Sequence, residues 1–134
     1  MTFDATILAL QRNLDMRSLS HSIHASNISN ANVPGYHSRK IDFEESLREA
    51  LSDYEGVDEP LVRRQDLVRE AVEKVTGQIY EDPLAKANGD GNTVNVDKEM
   101  SEIAKNTIGY QTAIQLINKK IALQKYVLGE GGAR

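Results

Sequence analysis

The chain has no cysteine. Disulfides, thiolate metal ligands and cysteine nucleophiles are therefore excluded, although the absence assigns no compartment. Tryptophan is missing too, and aromatic residues make up only 5% of the 134 residues, so any compact core is small. No apolar run approaches the ~18 residues that a membrane-spanning helix needs. Residues 1–15, MTFDATILALQRNLD, lack a basic n-region, a continuous apolar segment and a small-residue cleavage site. A cleavable signal peptide is not expected. Nor is there an excess of positive charge. A net charge of −4 and a pI near 5.4 argue against phosphate-backbone binding, so nucleic acid is not an expected partner.

Chemistry-bearing motifs are equally scarce. No GxSxG frames a nucleophile. The glycines at 89 and 91 lack both GxxxxGK[ST] and a preceding strand. Glu44 and Glu45 read as an exposed acidic pair on a helix. His21, His24 and His37 read as solvent-facing or interface imidazoles rather than a zinc site, which would need fixed, dry ligand geometry. Asn88, Asp90, Asn92 and Glu99 fall on positions 1, 3, 5 and 12 of a calcium loop, but Thr93 occupies the position that requires glycine. A loop followed by a helix cap is the better account. No catalytic residue, metal, cofactor or small-molecule substrate is expected.

What the chain does have is a long helix signal at residues 96–128. Val96, Met100, Ile103, Thr107, Tyr110, Ile114, Ile117, Ile121, Gln124 and Leu128 recur at alternating steps of four and three. This period keeps one mainly apolar seam along one face, as packing against another helix requires. Asn95 or Asp97 is the expected N-cap, and Gly129 the expected stop. Such a helix is roughly 50 Å long, more than a small globule covers. Gly109 inside it costs about 1 kcal/mol relative to alanine, which reads either as tolerated drift or as close approach of a neighbouring backbone or of the Asn-rich segment.

An N-terminal helical segment occupies residues 4–32. Ile7, Leu10 and Leu14 start a seam that turns polar at Arg17, His21 and His24 before Ile28, with Leu8, Leu19, Ile23 and Ala25 as a flanking row. Its expected partner is the C-terminal helix, in cis, in a neighbouring copy, or both. Val33 precedes a proline and cannot continue the helix. Pro34-Gly35 suits a type II turn. Tyr36 and a basic patch of His37, Arg39 and Lys40 follow. A short amphipathic helix is expected from Asp42 to Leu51, with Phe43, Leu47 and Leu51 in register. Further on, Leu61, Leu67 and Val68 suggest a short helix, and residues 75–80 alternate like a strand. That strand has no visible mate, so a local hairpin arm or a neighbour is expected to pair with it. Residues 85–92, AKANGDGN, read as loop. The expected fold is one all-α domain, 1–134. Two long terminal helices pair like a coiled coil around an irregular middle, 33–95, that carries a short β element.

Two segments carry a family resemblance. ASNISNANVPGYHSRKIDF (25–43) resembles the Asn-rich N-terminal signature of bacterial flagellar axial proteins, the rod and hook subunits. DGNTVNVDKEMSEIAKNTIGYQTAIQLINKKIALQK (90–125) is similar to the C-terminal helix of the family's proximal rod branch. Val33 and Ser29 stand where the family usually has Thr and Ala, without disturbing the turn chemistry. The resemblance implies a structural, non-enzymatic subunit of the basal-body rod, exported unprocessed into the periplasm through the flagellar type III apparatus. Its terminal helices would form a torque-transmitting tube around the export channel. Expected partners are other copies of the chain, other rod subunits, the basal-body base and the export gate.

Candidate subunit contacts are then Ile7, Leu10, Leu14 and Ile28 at one end. At the other they are Val96, Met100, Ile103, Tyr110, Ile114, Ile117, Ile121 and Leu128. Asn27, Asn30, Pro34, Gly35 and Tyr36 form the candidate turn motif. Phe43-x-x-x-Leu47 is similar to the segment by which the export gate docks unfolded cargo. It also reads as a plain i,i+4 apolar pair, and both can hold because export precedes folding. The competing reading is a small cytosolic coiled-coil adaptor, with a metal-dependent enzyme behind it.

Overall fold

A computed structural model describes residues 5–53, 58 and 60–132. Helix α1 runs Ala5–Ser29 without a glycine or proline to interrupt it. It ends where Ser29 and Asn30 turn their side chains back onto the carbonyls of Ala25 and Ser26, at 2.9 and 2.8 Å. Such side chains compete with the next turn of helix for its backbone partners. Strand β1 (Arg39–Asp42), helix α2 (Glu44–Ser52), helix α3 (Leu61–Glu73) and strand β2 (Gln78–Glu81) follow, and α4 (Val96–Gly132) closes the chain. At 37 residues α4 is ~55 Å long, against ~37 Å for α1. No helix among the described residues is long and apolar enough to cross a membrane.

The core is small and lies between the first three helices. Ala9, Leu47, Ala50, Val72 and Val75 are buried together, with Leu8, Val68 and Ala71 against them. Arg12 of α1 holds the end of α3 in place, its Nε and Nη2 both donating to the Val75 carbonyl at 2.8 and 2.6 Å. This satisfies a carbonyl just past the helix end that the helix itself cannot pair. The fold is all-α in character, with two long terminal helices and one two-stranded sheet.

Several expectations about the middle need correction. The strand near residue 79 pairs with β1, antiparallel, in the register Arg39↔Glu81, Lys40↔Tyr80, Ile41↔Ile79 and Asp42↔Gln78. Its mate is thus the basic patch after the Pro-Gly turn, neither a hairpin arm nor a neighbour. That pairing is non-local, and the charged side chains of RKID masked the strand in the sequence. Because β1 takes Asp42, the following helix begins at Glu44 instead of Asp42. Gly77 permits the sheet to sit on α1. A β-carbon there would fall 2.6 Å from Ile41 Cγ1 and 3.4 Å from Met16 Sδ. At the other end, α4 passes Gly129, where the sequence placed its stop, and runs to Gly132. Gly129 does not adopt the positive φ of a helix-ending glycine, and among the described residues nothing lies within 4 Å of a β-carbon there.

Candidate assembly interface

The two segments singled out in the sequence fold against each other as a clasp. Gly35 has φ +72° and Tyr36 N–H donates to Val33 O at 3.3 Å, the geometry of the expected type II turn. Gly35 N–H in turn donates to Asp90 O, and Thr93 N–H to Tyr36 O, both at 3.0 Å. Asn92 is fully buried at the centre. Its amide nitrogen donates to Asn30 O (2.9 Å) and Val33 O (2.7 Å), and its amide oxygen accepts from Val94 N–H at 2.8 Å. The Thr93 hydroxyl accepts from Ser38 N–H at 2.8 Å. Asn95 then caps α4, its side chain accepting from Lys98 N–H at 3.1 Å, which decides between the two expected caps.

Asn27 does the equivalent work on α1. Also fully buried, it donates to Arg39 O (2.8 Å) and Glu99 Oε2 (3.1 Å) and accepts from Arg39 N–H (2.9 Å) and Tyr36 Oη (3.2 Å). All four hydrogen-bonding positions of its amide are filled. Glu99 Oε2 lies 2.5 Å from His24 Nδ1, and both side chains are buried. One turn pair further along, Asn106 donates to Arg17 O at 2.7 Å. Arg17 contacts Asn106 Oδ1 (3.4 Å), Asn13 Oδ1 (2.9 Å) and Glu44 (3.1 Å), and its guanidinium lies 5.8 Å from the Phe43 ring centroid. A β-carbon on Gly109 would sit 2.5 Å from that guanidinium. The neighbour at Gly109 is thus the end of an arginine side chain of the same chain, not a backbone or the Asn-rich segment.

Asp82 ties in the sheet. It accepts from Lys40 Nζ at 3.0 Å, Lys98 Nζ at 2.9 Å and Leu84 N–H at 3.0 Å, linking β1 and α4. Burial alone would raise the Asp82 carboxyl. The hydrogen bonds from Lys98, Lys40 and the Leu84 amide outweigh it and lower the group to about 2.

These polar contacts fix how α1 and α4 pair. Residues 27 and 24 meet 99, and residue 17 meets 106 and 109, so the helices are antiparallel. The buried positions of α4 are Glu99, Asn106 and Ala113, a stripe to one side of the apolar seam. Seam residues Ile103 and Ile117 are half-buried at its margin, while Val96, Met100, Tyr110, Ile114, Ile121 and Leu128 remain exposed. Met100 is 60% and Leu128 67% exposed. On the other flank of the buried stripe α4 is apolar too, with Leu116, Leu123 and Val127 exposed.

On α1, Ile7 is buried and Leu10, Leu14 and Ile28 are half-buried. Within the turn motif Asn27 is buried, Asn30 and Tyr36 are half-buried, and Pro34 and Gly35 are exposed. Phe43 and Leu47 are both buried in the folded chain. His21 is exposed, whereas His24 is buried with its Nδ1 on Glu99, whose Oε2 also accepts from Asn27. Sequence reading missed Arg17, Asp82 and Asn92 as structural centres. The one available signal was DGN directly before a helix cap, a pattern of side chains suited to turn backbone groups.

Almost the entire chain aligns with proteins called flagellar basal body rod protein FlgB. Identity is 34% over 131 residues with the one from Aeromonas hydrophila, covering 97% of this chain and 98% of that protein. It is 31% over 135 residues with that of Bacillus subtilis (strain 168), at 96% and 97% coverage, and 29% over 134 residues with that of Escherichia coli (strain K12), at 96% of each. This chain belongs to the FlgB family. No family model matches it. The FlgB likeness spans the middle as well as the ends, so α2, α3 and the sheet belong to the shared length. The family's name describes a rod component of the flagellar basal body, a structural role.

Proposed function

We propose that the chain is a structural subunit of the proximal rod that polymerises through its terminal helices into the drive-shaft tube, transmits torque and surrounds the export channel. Its partners are other copies, neighbouring rod subunits, the basal-body base and the export gate, and it reaches the periplasm by flagellar export. The observation that carries this reading is the unpartnered seam of α4. α1 occupies a polar flank, leaving Met100, Tyr110, Ile114, Ile121 and Leu128 for other helices. The row of Leu116, Leu123 and Val127 makes the distal half apolar on two sides, as befits a helix enclosed by several neighbours. Burying one such side chain contributes about 1.5–3 kcal/mol, so a few per neighbour suffice for assembly.

The test is Ile121→Asp with Leu128→Asp. Both side chains are exposed, so the monomer should keep its circular dichroism and melting temperature while rod assembly and swimming are lost. Flagellated, motile cells carrying the double variant would overturn the reading.

A further inference from the structure

We infer that Asn88 is a chemical modification site, a spontaneous deamidation centre that controls the clasp, independently of the rod reading. Asn88-Gly89 is the sole Asn-Gly pair in the chain. Both residues are exposed, and Asn88 lies on the rim of a water-accessible cavity of about 420 Å³. Among the described residues no hydrogen bond holds the Asn88 carboxamide, whereas Asn13, Asn27, Asn30, Asn92, Asn95 and Asn106 are all held. The other two asparagines, Asn32 and Asn118, precede Val33 and Lys119, whose side chains obstruct attack by the backbone nitrogen. Among the described residues nothing lies within 4 Å of the β-carbon position at Gly89. The neighbouring Asp90-Gly91 pair is protected, because Asp90 Oδ1 accepts from Asn92 N–H at 3.0 Å.

The reaction needs only water. Gly89 N, having lost its proton to solvent, attacks Asn88 Cγ. A C–N bond forms, the amide nitrogen leaves as ammonia, and a five-membered imide results. Water then opens the ring at Cγ to give aspartate, or at the backbone carbonyl to give isoaspartate, with no change of oxidation state. Isoaspartate inserts a methylene into the main chain. The insertion falls where Asn88 N–H donates to Asn92 O (2.7 Å) and Gly91 N–H donates to Asn88 O (2.9 Å), the pair of bonds that closes the loop beneath Asn92. The isoaspartate form therefore loses the closure that seats Asn92 on the Asn30 and Val33 carbonyls.

The experiment ages the purified full chain at pH 6 and pH 9 and maps peptides by mass spectrometry with an isoaspartate-specific assay. Conversion should concentrate at Asn88, run faster at pH 9, and slow several-fold in Gly89→Ala, which fits the open site and needs no positive φ. The isoaspartate fraction should melt lower and exchange amide hydrogens faster at 92–94, whereas Asn88→Asp, which changes charge alone, should stay close to wild type. Conversion spread evenly over the asparagines, or an unchanged rate in Gly89→Ala, would overturn the site. An isoaspartate form as stable as the parent would overturn its control of the clasp.

Discussion

Two fully buried asparagines do what a larger apolar core does elsewhere. Asn27 and Asn92 each saturate an amide against backbone groups of a different segment, which fixes position as well as distance. Replacing Asn92 by alanine removes a donor from each of the part-buried Asn30 and Val33 carbonyls and from the Val94 amide its acceptor, so stability should fall by about 1–3 kcal/mol in urea titrations. Asn92→Asp keeps the shape but turns two donors into acceptors facing carbonyls, and should be at least as harmful. Asp82 makes the clasp acid-sensitive. Its carboxyl sits at about 2 in the folded chain against an ordinary 3.8, so the unfolded chain takes up the proton first as pH falls. The stabilisation is complete above pH 4 and is lost as pH drops towards 2, an effect of about 1–2 kcal/mol with exposed Lys98 weakening it. Denaturation at pH 6 and pH 3 should show that loss, and Asp82→Asn should show a smaller one.

At the scale of elements, the α1–α4 pair is held by polar residues on one flank and leaves the apolar seam open. Gly109 belongs to this flank. It gives room to the Arg17 guanidinium, which also reaches Asn106, Glu44 and the Phe43 ring. Alanine at 109 raises intrinsic helix propensity by about 1 kcal/mol, but only if the arginine moves away. A double-mutant cycle separates the two effects. Gly109→Ala should be neutral or destabilising in the wild type and stabilising by about 1 kcal/mol in the Arg17→Ala background. Equal gains in both backgrounds would show that the arginine does not press on residue 109.

For the whole molecule, folding hides the pair offered as an export segment. Phe43 and Leu47 are buried, so the folded chain cannot present them, and any recognition must act on the unfolded chain. Phe43→Ala with Leu47→Ala should therefore do two things, lowering stability by several kcal/mol and trapping the protein in the cytoplasm. Val72→Ala with Val75→Ala supplies the control, since it loosens the same core without touching the segment. Secretion of the valine variant alone supports docking through Phe43 and Leu47. Normal secretion of both leaves these residues a packing role only.

Local sequence suffices for the periodic elements and the turn. The alternating step of α4 and the Pro-Gly corner at 34–35 follow from local rules, because backbone geometry and helix period are set by neighbours in the chain, whereas the α4 cap stayed open between Asn95 and Asp97. The helix at 61–73 and the strand near 79 were legible from the same kind of pattern. Tertiary structure alone decided which face of α4 meets α1, since the apolar period marks a face that wants a helix but not which helix takes it. It also decided that RKID is a strand and that Glu99 turns inward to His24 and Asn27. It brought Asp82 between two lysines as well. Those choices rest on hydrogen bonds between residues tens of positions apart, and such bonds leave no period in a sequence.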